Sequence, residues 1–222
     1  MSSMVKTAFL AGATGLVGAH LLRRLLADPR YGRVIALTRK ALPVQHPKLT
    51  ATAVTLETLP GALADVRGDD WYCALGTTIK RAGSQEAFRR VDYDYPMALG
   101  RQAAATGAKQ YLLVSAIGAS AKSSIFYSRV KGELERDLAA LGLPKLHVFR
   151  PALLLGDREE HRRGESVATV LMKAANPLIG GPLAKYKAVR ADDVAASMIR
   201  EAHGSSGLGV HVDDGKKLQG SR

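Results

Sequence analysis

Residues Phe9 to Gly18, Phe-Leu-Ala-Gly-Ala-Thr-Gly-Leu-Val-Gly, set three glycines at G-x-x-G-x-x-G spacing between an apolar run and an amphipathic one. Met4 to Ala11 has the length and character of a buried parallel strand. After the glycines, Val17, Leu21, Leu22, Leu25 and Leu26 recur at helical spacing. In a turn that joins strand to helix, Gly12 allows the tight bend, Gly15 a close backbone approach to a pyrophosphate, and Gly18 close packing of helix on strand. The helix N-terminus adds free N–H groups and the positive end of a dipole. Gly12, Thr14, Gly15, Leu16, Val17 and Gly18 are therefore candidate phosphate-binding residues, with a plain glycine bend as the competing explanation.

The rest of the chain continues the alternation. Strand patterns are expected at Arg33–Thr38, Thr50–Leu56, Asp70–Gly76, Tyr111–Ile117, Leu146–Phe149 and Gly209–Val212. Helical patterns fall at Glu86–Ala105, where Pro96 predicts a kink or break, at Ser124–Leu141 and at Asp192–Ala202. Such alternation predicts an α/β fold, a Rossmann-type doubly wound parallel sheet with helices on both faces and ligands at the C-terminal strand ends. At 222 residues the chain suits a single domain spanning 1–215. Within it, the looser segment 156–187 is expected to form a small C-terminal cap on the substrate side, and 216–222 a frayed tail.

Composition narrows the function classes. Hydrophobic residues at 46% and charged residues at 23% are globular values. No apolar run approaches the roughly 20 residues of a membrane span, and no signal-peptide layout is seen. The single cysteine, Cys73, excludes an internal disulfide or a cysteine-built metal site, so a cytoplasmic location is expected. The 32 Lys and Arg against 20 Asp and Glu give a net charge of +12, which attracts anions. Those basic residues are scattered in short pairs such as Arg23-Arg24 and Arg162-Arg163, without an aromatic platform, so no specific nucleic-acid site is read from them. The histidines are likewise scattered, and no metal site is expected.

Chemistry is concentrated at Ser115 and at Tyr127-Ser128-Arg129-Val130-Lys131. Tyr127 and Lys131 stand at i and i+4 on one helix face. An ammonium beside a phenol stabilises the phenolate and lowers its pKa, which would make Tyr127 a general acid for carbonyl reduction or a base for alcohol oxidation. Cofactor choice follows from the second strand end. An NAD site places a carboxylate about 20 residues past the glycines. Here no acidic residue occurs between Asp28 and Glu57, and Thr38, Arg39 and Lys40 stand where a 2′-phosphate would be held. NADP(H) is thus preferred over NAD(H), with a solvated basic strand end as the alternative. Ala74, Leu75, Gly76 and Thr77, after the fourth strand, are expected along the ribose and pyrophosphate. Pro151, Ala152 and Leu153, after the sixth, are expected near the nicotinamide.

The chain resembles the short-chain dehydrogenase/reductase superfamily, and within it the atypical group related to the Tat-interacting oxidoreductase-like NAD(P)-binding proteins. The likeness rests on Gly-Ala-Thr-Gly-Leu-Val-Gly at 12–18, Cys-Ala-Leu-Gly-Thr-Thr at 73–78, Val-Asp-Tyr-Asp-Tyr at 91–95, Lys-Ser-Ser-Ile-Phe-Tyr-Ser-Arg-Val-Lys-Gly-Glu at 122–133 and Phe-Arg-Pro-Ala-Leu-Leu-Leu-Gly-Asp-Arg at 149–158. It implies a catalytic set of Ser115, Tyr127 and Lys131, all three also touching the cofactor, with Ser115 orienting the substrate oxygen. Many extended relatives carry asparagine where Val91-Asp92 stands here. Two functions are expected: an NADP-dependent oxidoreductase acting on a small carbonyl or alcohol, or an NADPH-binding regulatory protein without turnover. A monomer or homodimer suits either.

Overall fold

The computed structural model describes residues 5–39, 41–54, 58–155, 187–215 and 217–218. Among them, seven strands form one parallel sheet. These are β1 (Lys6–Ala11), β2 (Tyr31–Thr38), β3 (Leu49–Ala53), β4 (Asp70–Cys73), β5 (Gln110–Val114), β6 (Lys145–Arg150) and β9 (Gly209–Asp214), in the order β3-β2-β1-β4-β5-β6-β9. The order reverses direction beside β1, which opens a crevice between the C-terminal ends of β1 and β4. Two short strands, β7 (Leu154–Leu155) and β8 (Val189–Arg190), pair in parallel on either side of the expected cap. Residues 156–186 of that cap lie outside the described residues.

Period-two alternation sorts the strands between two cores. Ala8 and Leu10 of β1 face α1 (Leu16–Ala27) and α7 (Ala191–His203), while Phe9 and Ala11 face α5 (Tyr95–Ala105) and α6 (Phe126–Ala139). Three short helices, α2 (Leu59–Leu63), α3 (Ile79–Ala82) and α4 (Gln85–Arg89), complete the set among the described residues. Strand ends differ from the sequence expectation by one to three residues. Leu218, in the stretch expected to fray, is fully buried in the α1–α7 core. Cys73 is buried and free.

The segment expected to kink or break at Pro96 changes its winding there without breaking. A π-helical turn at Arg90–Asp94 joins α4 to α5, closed by the Tyr95 N–H on the Arg90 carbonyl. Proline supplies no N–H and crowds the carbonyl four residues back, so a widened turn before Pro96 relieves what would otherwise be a break. The extra residue also shifts the buried stripe, from Phe88 and Asp92 to Met97, where a uniform helix would have buried Val91 and Tyr95. Three side-chain ties bind this region to α6: Arg89 to Glu133 at 2.6 Å, Tyr93 Oη to Asp137 at 2.6 Å, and Lys131 to Asp92 at 2.7 Å.

At the opposite end of the sheet a buried polar network closes the core. Asp70 accepts from Tyr31 Oη at 2.6 Å and from Gln110 Nε2 at 2.8 Å, and pairs with Lys6 at 3.0 Å. On β6, burial pushes the His147 imidazole down to about 4, so the ring is neutral near pH 7.

Candidate functional site

The glycine turn divides its labour. Gly12 has φ +89°, and a Cβ there would lie 2.6 Å from the Ala74 carbonyl oxygen. At Gly18 a Cβ would lie 1.9 Å from the Gly12 carbonyl oxygen, so helix and turn touch through bare backbone. Gly15 closes the bend by donating its N–H to the Gly12 carbonyl at 2.8 Å. It is also the N-cap of α1, with no capping side chain and no acidic residue in the first turn. A helix N-terminus left with open N–H groups and no carboxylate beside it fits an anionic diphosphate. Thr14 is exposed, Leu16 half-buried and Val17 buried.

Two neighbouring strand ends frame the turn. Thr38, at the end of β2, is buried, and its carbonyl accepts from Val54 at 2.8 Å. Arg39 is exposed, while Lys40 lies outside the described residues. After β4 the Ala74 N–H bonds the Ala11 carbonyl at 2.9 Å, which sets Ala74 and Leu75 against the glycine turn. Gly76 is exposed, and a Cβ on it would stand 3.5 Å from Asp92 Oδ1 and 3.9 Å from Lys131 Nζ. Thr77 donates its N–H to Asp92 Oδ2 at 2.9 Å.

Helix α6 presents Tyr127, Lys131 and Glu135 at i, i+4 and i+8 on one face. Its apolar stripe of Val130, Leu134 and Leu138 is what buries this face's edge. Gly132 lets the loop after β5 lie directly on the helix, since a Cβ there would meet the Ser120 backbone at 2.1 Å. Lys131 is buried with its ammonium 2.7 Å from Asp92 Oδ1. Burial works against that charge, but Asp92 and Tyr127 outweigh it and the pKa is raised. The expected lowering of the Tyr127 pKa is corrected by the structure. Burial pushes the phenol up, Lys131 opposes this, and Asp92, which holds the ammonium, adds to the rise. The Tyr127 ring packs on Phe88, 5.5 Å between centroids.

Ser115, expected to orient a substrate oxygen, has its proton engaged within the protein. Its hydroxyl donates to Glu135, and the Arg150 guanidinium grips the same carboxylate, with Nε at 3.1 and 3.2 Å from its two oxygens. Pro151 is buried with its carbonyl accepting from Ile117 at 2.9 Å, and the Leu153 carbonyl accepts from Val189 at 2.8 Å. Those two carbonyls are engaged within the fold, which leaves Ala152 as the half-buried residue between them. The structure thus brings Gly76, Thr77, Tyr127 and Lys131 together around Asp92, while Ser115 is tied to Glu135, one helical turn beyond Lys131.

Asp92, Glu135 and Arg150 are absent from the residues picked out as site candidates. Asp92 carried a signal: it stands four residues after Phe88, on what becomes the buried face, where an acid needs a partner. Glu135 stands four residues after Lys131 in the same way.

A model of the HIM1 family matches residues 45–179, more than half of the chain. The chain belongs to the HIM1 family. Relatives of this HIM1-family chain include "Protein fmp52, mitochondrial" of Emericella nidulans, 38% identical over 167 residues that cover 72% of this chain and 71% of that protein. "Protein HTATIP2" of Rattus norvegicus is 36% identical over 167 residues, 73% of this chain and 69% of that one. Among solved structures, the UDP-glucose 4-epimerase of Thermotoga maritima with UDP-glucose superposes with a TM-score of 0.70 at 16% identity, covering 94% of this chain and 76% of that one. The enzyme WbmH of Bordetella bronchiseptica in complex with NAD+ gives 0.69 at 16%, covering 94% and 75%. The HIM1-family chain therefore has a Rossmann-type fold, as its strand–helix alternation predicts. The cytoplasmic expectation is corrected: several fungal relatives are named mitochondrial, which points to mitochondria instead.

Proposed function

We propose that the chain is an NADP(H)-dependent oxidoreductase that interconverts a small carbonyl and its alcohol. The observation that carries this reading is a phenol one helical turn from a buried, charged ammonium, at the same sheet end as an uncapped glycine turn. The nicotinamide, when bound, supplies or accepts the hydride. Gly12, Thr14, Gly15, Leu16, Val17 and Gly18 would hold the pyrophosphate. Thr38, Arg39 and Lys40 would hold the 2′-phosphate, since no carboxylate stands there to repel it. Ala74, Leu75, Gly76 and Thr77 would line the ribose, and Pro151, Ala152 and Leu153 the nicotinamide side.

Tyr127 is the general acid in this reading. With its pKa raised, the phenol keeps its proton near neutral pH and can give it to a carbonyl oxygen. Lys131 stays charged because Asp92 compensates it, so it can hydrogen-bond a ribose hydroxyl and stabilise the phenolate that proton transfer leaves behind. Asp92 is then a positioning residue. Ser115 has its proton committed to Glu135, so its oxygen is free to accept rather than donate. That arrangement suits a substrate hydroxyl. The names of the fungal relatives support a mitochondrial setting.

One observation favours the second reading, an NADPH-binding regulator without turnover: both the Ser115 hydroxyl and the Lys131 ammonium are already held by carboxylates. NADPH oxidation across a panel of small aldehydes and ketones separates the two. The enzyme reading expects turnover that Tyr127→Phe lowers by about 100-fold or more, with NADPH affinity little changed. Tight NADPH binding with no turnover anywhere in the panel supports the regulator. An undiminished rate in Tyr127→Phe removes the assigned mechanism.

A further inference from the structure

We infer that His147, Glu201 and Asp213 form a binding site for a divalent cation of the zinc class, built from residues that take no part in the candidate cofactor site. His147 sits in the middle of β6, Glu201 in the last turn of α7 and Asp213 on the edge strand β9. One ligand-capable atom from each lies within 4.8 Å of the others. His147 is fully buried, yet neither of its ring nitrogens has a hydrogen-bond partner among the described residues. A buried imidazole without partners is costly, and here one of its nitrogens lies within 4.8 Å of an oxygen from each of two carboxylates that do not bond it.

A cation resolves that mismatch. Metal-to-ligand distances for zinc are about 2.0–2.2 Å, so ligand atoms on one ion stand up to roughly 4 Å apart, and side-chain movement of less than about 1 Å would gather these three. One neutral imidazole with two carboxylates neutralises a 2+ charge, and three protein ligands leave a fourth tetrahedral position for water. The imidazole favours zinc-like ions over calcium or magnesium, which take oxygen ligands.

Both carboxylates already have basic neighbours. Lys217 Nζ lies 3.0 Å from Asp213 Oδ1, and Arg200 Nε lies 3.5 Å from Glu201 Oε1. Each pairing occupies one oxygen, leaves the second available, and comes from a largely exposed side chain that can swing away. The neighbouring His211 ring stacks on His147 at 5.0 Å and bonds the Gly207 carbonyl through Nε2 at 2.8 Å, which holds the His147 ring in place. An ion here would pin α7 and the edge strand to β6.

The experiment is zinc titration of chelator-stripped full-length protein, by calorimetry and thermal melting, with cobalt as a spectroscopic probe. Expected are one equivalent bound, the visible absorption of four-coordinate cobalt, and a rise in melting midpoint of about 5 °C at 100-fold excess over the dissociation constant. Glu201→Gln and Asp213→Asn should each weaken zinc by about tenfold or more, since even changes behind the ligands cost that much. Glu201 is only half-buried, so Glu201→Gln keeps the test open if His147→Gln does not fold. His20→Ala, at a surface histidine 3.0 Å from Asp192, should leave binding intact. No bound zinc, equal zinc in the Glu201→Gln/Asp213→Asn double variant, or loss of zinc in His20→Ala would each overturn the site.

Discussion

The Lys131 ammonium and the Asp92 carboxylate, 2.7 Å apart, are buried together at 4% and 1% side-chain exposure. Such a pair contributes little net stability while intact, but removing one partner strands a charge. Asp92→Ala should therefore cost about 3–5 kcal/mol in urea unfolding. The double variant Asp92→Ala/Lys131→Met should recover most of that loss. Equal stability of single and double variants would mean that the pair is not coupled.

The glycine turn makes a sharp contrast in tolerance. Gly18→Ala puts a methyl 1.9 Å from a backbone carbonyl that cannot swing aside, so it should prevent accumulation of folded protein. Gly61, in α2, has nothing within 4 Å of its Cβ position. Gly61→Ala should therefore gain about 0.5–1 kcal/mol from helix propensity. Thermal melting of the two variants reads both outcomes.

Acid stability should depend on Asp28, the C-cap of α1. Its two carboxylate oxygens take the Arg30 side chain at 2.8 and 2.7 Å, and this pairing holds its pKa below the usual carboxylate range. The unfolded chain binds this proton more readily, so the stabilisation is present above about pH 4 and is lost as pH falls through the lower folded value. Arg30 is half exposed, which limits the effect to about 1 kcal/mol. Asp28→Asn should lower stability at pH 7 and flatten the decline below pH 4, measured by urea midpoints across pH.

Arg39 tests the cofactor preference independently of chemistry. If it meets the 2′-phosphate, Arg39→Ala should weaken NADPH by about tenfold or more, the worth of a charge-assisted hydrogen bond. NADH binding should change by less than about twofold, because the ribose hydroxyl needs no cation. Parallel losses for both nucleotides would place Arg39 outside the 2′-phosphate site.

Short-range patterns made the fold legible. The glycine turn, the strand–helix alternation and the Val130, Leu134, Leu138 stripe each depend on neighbours within a few residues, and the sheet forms from them in the expected class. Pro96 marked an irregularity but not its form, because that depends on whether the preceding turn can widen, which periodicity does not show. The Ser115–Glu135–Arg150 chain was hidden for a different reason: its members come from a strand end, a helix and a second strand end, and their meeting is a product of sheet packing. Lys131 could be read as a partner of Tyr127 from spacing alone. That its ammonium is shared with Asp92 depends on how α6 lies against the π-helical turn.

That turn stores a phase offset of one residue inside an otherwise continuous helix. Everything N-terminal to it is rotated by about 100° relative to what an uninterrupted α-helix would present. Deleting one residue between Arg90 and Asp94 would therefore swing the ties to Glu133 and Asp137 out of line with α6 while changing few side chains. The ion pair at the heart of the site is thus encoded by chain length as much as by residue identity, so insertions and deletions in this helix should be far less tolerated than substitutions on its exposed side.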